Sequence, residues 1–131
     1  MILDSSVALK WLVPEDRSDE AAALVGQTDL LVPTFFHAEI ANALWKKARR
    51  GEILLEEIAP HFAQLPHLVT TLDETDAISR ALEIAVELDH AVYDCIYLAL
   101  AEARDDVLLT ADLRFSAKVA RTGLARYVRE L

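Results

Sequence analysis

The feature that most constrains this chain is a series of short apolar segments separated by stretches of helical length. Ile2-Leu3, Leu30-Leu31-Val32-Pro33, Leu68-Val69-Thr70-Thr71-Leu72 and Val107-Leu108-Leu109-Thr110 have strand length, and Arg126-Tyr127-Val128 is a candidate final edge strand. Short strands that are apolar on both faces belong to a parallel sheet lying between layers of helices. The intervening sequence supplies those helices. Asp4-Ser5-Ser6 offers caps for a helix carrying Val7, Leu9, Trp11 and Leu12, which Pro14 ends. Further helices are expected over Ser18 to Gly26, Phe35 to Arg50 with Gly51 as its stop, Leu54 to Leu65 closed by Pro66, Asp73 to Leu88, Val92 to Arg104 and Leu113 to Val119. In the Asp73–Leu88 segment, apolar Ile78, Leu82, Ala85 and Val86 recur at helical spacing. The pattern predicts an α/β fold with a central parallel sheet of four to five strands flanked by helices. No repeat or linker interrupts it, so residues 1–131 are expected to form a single domain.

Open sheets of this kind bind ligands beyond the carboxyl ends of their strands. Asp4 directly follows the first strand, and Asp112 follows the Val107–Thr110 strand. Two more acids lie on apolar helix faces. Asp94 sits in Val92-Tyr93-Asp94-Cys95-Ile96-Tyr97-Leu98-Ala99-Leu100, where an ionised carboxylate needs a metal, an arginine or a helix N-terminus to hold it. Glu39 shares a face with Phe36 and Ala43, and its flexible stem gives it an equal route to solvent. Asp4 and Asp112 each stand where a helix cap is expected. Singly, all four acids have ordinary structural explanations. Jointly, two strand ends and two apolar helix faces each contribute one carboxylate. Clustered carboxylates raise one another's pKa unless a cation neutralises them. An all-oxygen ligand set selects Mg²⁺ or Mn²⁺ over zinc, and metal-assisted hydrolysis of a phosphodiester is the chemistry it performs best.

The formal net charge of −9 weighs against a nucleic-acid partner, since a polyanion is normally met by a basic surface. Cations bound among the acids would cancel part of that charge locally. The bases also cluster, in Lys46-Lys47-Ala48-Arg49-Arg50 and between Arg114 and Arg121, so a nuclease stays open. The Lys46–Arg50 run reads either as a solvated helix end or as an RNA-backbone contact. No apolar run approaches the roughly 18–20 residues needed to cross a bilayer, no basic leader precedes Ile2, and a single cysteine, Cys95, forms no internal disulfide. These features predict a cytoplasmic protein. His37, His61, His67 and His90 lack the spacing of a shared metal site and are expected at the surface or half-buried. Cys95 is expected in the core. Trp11 and Trp45 are expected in the core or lining a partner's groove.

Four stretches resemble the PIN-domain nucleases, and among them the VapC-type toxins of bacterial and archaeal toxin–antitoxin pairs. They are Ile2-Leu3-Asp4-Ser5-Ser6-Val7-Ala8-Leu9-Lys10-Trp11, Glu39-Ile40-Ala41-Asn42-Ala43-Leu44, Tyr93-Asp94-Cys95-Ile96-Tyr97-Leu98-Ala99-Leu100-Ala101 and Leu109-Thr110-Ala111-Asp112-Leu113-Arg114-Phe115. They span nearly the whole chain in the family's order. The resemblance implies a three-layer PIN-like fold and an Mg²⁺-dependent endoribonuclease, with Mn²⁺ as the alternative ion. Asp4 and Asp94 would be the main metal ligands, with Glu39 and Asp112 completing the site directly or through water. Ser6 and Thr110 match positions whose hydroxyls support the site; their structural readings are a helix N-cap and a plain β-former. The resemblance further implies a tRNA or rRNA substrate, a VapB-type antitoxin laid over an apolar groove and the active site, and a homodimer. A Mg²⁺-dependent phosphatase or phosphotransferase is the rival chemistry. The second aspartate that a haloacid-dehalogenase-like start carries is here Ser6, which disfavours it. A non-catalytic interaction domain would have no use for four intact acids.

Overall fold

The apolar segments build one sheet. The computed structural model describes residues 1–131. Five parallel strands, β1 Ile2–Leu3, β2 Leu31–Pro33, β3 Thr70–Leu72, β4 Leu108–Thr110 and β5 Val128–Glu130, lie in the order β3-β2-β1-β4-β5. Successive strand residues face opposite sides of a sheet. Ile2 and Leu3 are both fully buried, so the central strand is covered on both faces, as its unbroken apolar sequence requires. β3, at one edge, instead exposes Thr70 and Thr71.

Seven helices surround the sheet: α1 Ser5–Leu12, α2 Ser18–Ala22, α3 Phe36–Arg49, α4 Leu55–Phe62, α5 Ile78–Leu88, α6 Val92–Arg104 and α7 Leu113–Val119. Helix α6 packs across β1, β2 and β4, with α5 against it; α1 packs on β4 and α3, and α7 lies on β5. The buried run Cys95 to Ala101 makes α6 the main internal helix. Helix α3 ends as its sequence predicts. Gly51 adopts φ +74°, and the Gly51 and Glu52 N–H groups close on the carbonyls of Ala48 and Lys47, both at 3.0 Å.

Several boundaries differ from the expected ones. The helix beginning at Ser18 stops at Ala22, and turns carry the chain on to Gly26. The Leu54–Leu65 segment is helical only from Leu55 to Phe62, with Pro60 inside the helix. Pro66 then sits inside a 3₁₀ turn at Leu65–His67. Asp73 accepts from the Thr75 N–H (2.9 Å) and hydroxyl (2.6 Å), which starts α5 as a 3₁₀ turn and delays its α-helical part to Ile78. In α5 the buried face is Ala81, Ile84, Ala85 and Leu88, whereas Ile78, Leu82 and Val86 point outward. The last strand is displaced to Val128–Glu130 by a 3₁₀ turn at Ala125–Tyr127, although it is the edge strand expected.

The strand order reverses at β1: β2 and β3 extend to one side, β4 and β5 to the other. The crevice at such a switch point is where open sheets bind ligands. Pairing of Leu3 with Leu109 brings the ends of β1 and β4 side by side, and the Asp4 N–H donates to the Leu109 carbonyl at 3.0 Å. The core beneath this crevice depends on α6. Leu98→Ala, at a fully buried position, is expected to destabilise the protein by about 2–5 kcal/mol in urea unfolding. Leu54→Ala, at an exposed position, should stay within about 0.5 kcal/mol.

Candidate active site

Asp4 joins β1 to α1 and occupies the helix N-cap position, yet its side chain caps nothing. Its Oδ2 instead accepts the Thr110 hydroxyl at 2.6 Å and the Ser6 hydroxyl at 2.7 Å. Both hydroxyls are themselves oriented. Ser6 Oγ accepts the Ala111 N–H and Thr110 Oγ1 accepts the Asp112 N–H, each at 3.0 Å. A hydroxyl that accepts from the backbone has its one proton left to donate, and both aim it at Asp4. Ser6 is thus a tie between α1 and the loop after β4 rather than a cap. Thr110 is at once a buried strand residue and a partner of Asp4.

The other three acids arrive from three further helices. Glu39 projects from the first turn of α3, and its Oε1 accepts the Tyr97 hydroxyl at 2.5 Å. Asp94 lies in the first turn of α6, with Oδ2 at 2.5 Å from His90 Nε2. Asp112 caps α7, its Oδ1 accepting the Phe115 N–H at 3.0 Å. Asp112 therefore fills the cap role expected of it and still faces the others. All four acids line one cavity of about 260 Å³. Each is held through a single oxygen. The second oxygen of Asp94 and Asp112 has no protein donor, and the Ser5 hydroxyl meets that of Asp4 at 3.5 Å and bears on Glu39 as well. No lysine or arginine pairs with any of them.

The electrostatics follow from that geometry. Burial raises the pKa of Asp4, and the nearby Asp94 charge adds to the rise against the lowering effect of the Thr110 and Ser6 hydroxyls. Burial also pushes Glu39 up to about 7, with the charges of Asp4 and Asp94 contributing and the Tyr97 hydrogen bond opposing. The Tyr97 hydroxyl is raised by its own burial and by Glu39, which keeps it a donor. These are carboxylates that sense one another across a small space short of positive charge.

Asp94 is not the deeply buried residue that its apolar surroundings suggest. Its side chain is 34% exposed, because the buried stretch of α6 starts one residue later. Asp4, 8% exposed, is the deepest of the four. Two neighbours of the acids are invisible to metal-ligand spacing alone. His90 bonds Asp94, and its ligand atoms lie with those of Asp94 and Asp112 within 4.8 Å of one another. It lies before the start of α6, so the turn of the α5–α6 link, not helical spacing, brings it to Asp94. Tyr97 is legible as a buried phenol that needs a partner for its hydroxyl. His37, His61 and His67 are half-buried or exposed, as expected.

The remaining candidates separate clearly. Trp11 donates its Nε1–H to the Ala21 carbonyl at 2.8 Å and ties α1 to α2. Trp45 is 52% exposed and, with Leu44, Leu55 and Phe62, lines a wholly apolar cavity of about 310 Å³ between α3 and α4. Cys95 is buried in the core, where desolvation pushes its thiol up to about 11. In the Lys46–Arg50 run, Lys47 and Arg50 are paired with Glu15 and Glu52. Arg114, Lys118 and Arg121 have no carboxylate partner and line an open cavity of about 650 Å³ beside α7. No helix is long and apolar enough to cross a membrane.

Comparison with known proteins agrees with this geometry. The model of the PIN domain family matches residues 1–120. Ribonuclease VapC3 of Pyrobaculum aerophilum is 33% identical over 122 residues, covering 90% of this chain and 93% of its own. Ribonuclease VapC9 of Mycobacterium tuberculosis is 32% identical over 117 residues, 88% of each chain. Among solved structures, PAE2754 from Pyrobaculum aerophilum has a TM-score of 0.67 at 27% identity, over 89% of this chain and 77% of that one. VapC20 of Mycobacterium tuberculosis, described as a sarcin-ricin loop cleaving toxin, shares the fold with a TM-score of 0.67 at 18% identity, over 88% and 92%. With the family model spanning all but the last strand and a VapC ribonuclease matched over nearly its whole length, this chain belongs to the PIN domain family, among the VapC ribonucleases.

Proposed function

We propose that this chain is a metal-dependent endoribonuclease, the toxin of a VapBC-type pair acting in the cytoplasm, and that Asp4, Glu39, Asp94 and Asp112 form its active site. The observation that carries this reading is the arrangement of the four carboxylates. All four line one shared cavity, each accepts a hydrogen bond from a neighbouring group, and none is paired with a lysine or arginine. Acids raised by burial and by one another fit a divalent cation, and the all-oxygen set favours Mg²⁺, with Mn²⁺ as substitute. When bound, the metal lowers the pKa of water and offsets charge growing on phosphate oxygens. Asp4 and Asp94 would hold it, and Asp112 would complete the set. Glu39, held through Oε1 by the Tyr97 hydroxyl and lining the same cavity, is placed to serve as the base. Its free oxygen would orient the attacking water and take the water's proton as the new P–O bond forms; the bridging P–O bond then breaks, and the leaving ribose oxygen takes a proton from solvent.

RNA of the tRNA or rRNA class is the proposed substrate, and α7 gives it a landing surface despite the net charge of −9. Arg114 and Lys118 lie on the helix whose cap is Asp112, Arg121 follows just past its end, and none of the three forms an ion pair, although Glu87 lines the same cavity. The apolar cavity at Trp45 is the proposed seat of a VapB-type antitoxin helix. The exposed stripe Ile78, Leu82 and Val86 on α5 is the proposed seam of a homodimer.

Three outcomes are expected. Asp4→Asn and Asp94→Asn should each reduce RNA cleavage by more than the roughly 100-fold that loss of an outer partner costs a metal site, and Thr110→Val by about 10–100-fold, all with unchanged circular dichroism. Chelation should abolish wild-type cleavage and Mg²⁺ restore it; cleavage without metal would overturn the reading. The second outcome concerns metal-free stability. Glu39 binds a proton in the folded state between its ordinary 4.5 and about 7, so it contributes stability below that window that is lost as pH rises through it. Glu74, Glu102 and Asp106 are held low and act oppositely in every variant. Thermal melts should therefore show Glu39→Gln gaining on wild type as pH rises, with Mg²⁺ closing the gap. Third, on an Asp94→Asn background, Arg114→Ala with Arg121→Ala should weaken RNA binding. The slope of log K against log salt should flatten by about 0.7 for each phosphate that the variant no longer neutralises.

A further inference from the structure

We infer that His90 is a positioning residue for Asp94, and that Lys118 selects the imidazole tautomer through which it acts; this rests on the metal-site reading above. Asp94 needs such a partner. It stands in the first turn of α6 with its side chain 34% exposed, where a carboxylate turns freely unless something holds it. His90 lies in the link between α5 and α6, only 13% exposed, its ring tilted against Phe115 with centroids 4.8 Å apart. Its Nε2 is 2.5 Å from Asp94 Oδ2, and its Nδ1 is 3.3 Å from Lys118 Nζ. Lys118 is fixed in turn by donating to the Asp89 carbonyl at 2.8 Å.

The direction of these bonds follows from the donors available. An ammonium has protons to give and no lone pair, so Nδ1 accepts from Lys118 and the ring's own proton sits on Nε2, donated to Asp94. In this tautomer neither nitrogen has a lone pair for a metal. One carries a proton and the other is covered by the lysine. His90 therefore works through Asp94 and is no ligand itself, although its atoms lie within 4.8 Å of those of Asp94 and Asp112. The hydrogen bond fixes Oδ2 and leaves Oδ1 without a protein donor. The ring also keeps Lys118 one residue away from the carboxylate. A lysine set directly on Asp94 would neutralise the charge that a metal requires, whereas a neutral N–H orients the group and leaves its charge in place.

The test combines a spectroscopic readout with metal affinity. Long-range ¹H–¹⁵N NMR of the metal-free protein should show His90 as the Nε2–H tautomer, with that preference lost in Lys118→Met. In Mn²⁺ titrations followed by EPR, His90→Leu should bind about 10–100-fold more weakly, with RNA cleavage falling in parallel. His90→Gln, whose amide N–H can reach the same oxygen, should recover most of that loss. Thermal melts identify variants that fold, and Lys118→Met with His90→Gln carry the comparison if His90→Leu does not. An Nδ1–H tautomer in the wild type, wild-type Mn²⁺ affinity in His90→Leu, or a His90→Gln as weak as His90→Leu would each overturn the role. Wild-type protein that binds no Mn²⁺ would overturn the metal-site reading as well, a result distinct from normal Mn²⁺ binding that ignores His90.

Discussion

The junction on which the rest of this structure depends is the pair of hydroxyl groups that meet Asp4 Oδ2 between the ends of β1 and β4. A carboxylate at the centre of a parallel sheet is costly to desolvate, and burial does raise the pKa of Asp4. The cost is contained because Thr110 and Ser6 each accept a backbone N–H from the loop after β4 and donate to Asp4. Asp4, Ser6 and Thr110, with the Ala111 and Asp112 N–H groups, thus close the β1–β4 crevice, start α1 and lead the chain into α7. A change that loosens this knot disturbs the sheet end and the acid together. Fold and site are therefore not separable here.

Charge is distributed by the same logic. The chain holds 22 acidic and 13 basic side chains, and many of the bases are paired away from the cavity, as Arg80 is with Glu102 and Lys47 with Glu15. Around the cavity the partners of the acids are hydroxyls, a phenol, an imidazole and a backbone N–H, with no lysine or arginine among them. Neutral donors fix direction without cancelling charge. Every buried polar side-chain atom is satisfied, so no acid of the cluster leaves a fully buried oxygen without a partner. A cluster built this way concentrates negative potential in one place, and a divalent cation is the species that relieves it.

Much of this was legible in the sequence, for identifiable reasons. Unbroken apolar strands and the position of acids just past them are local facts, and β1, β4, Asp4 and Asp112 could be placed from them. The gathering of four acids followed from topology, because the carboxyl ends of adjacent parallel strands share one edge. What the sequence hid was reach. Asp94 looked buried because its neighbours are apolar, yet the helix begins only at Val92, so Asp94 lies at the mouth of the cavity. His90 and Lys118 are 28 residues apart and meet only because α7 returns beside the α5–α6 link. The start of α5 moved for an equally local cause, the Asp73–Thr75 turn before it.

Structural and functional explanations of the acids prove to be compatible rather than rival. Asp112 caps α7 through Oδ1 and still lines the cavity, because a carboxylate has two oxygens and a cap needs one. Glu39 does the same with Tyr97, whose burial in α6 ties the α3 acid to the internal helix. A hydrogen bond to one oxygen restricts rotation of the carboxyl group and thereby aims the other, which is the preorganisation that metal and phosphate chemistry requires. The bonds that make each acid look like an ordinary structural residue are the ones that set the direction of its free oxygen. A capping role at such a position is thus no argument against a part in the chemistry.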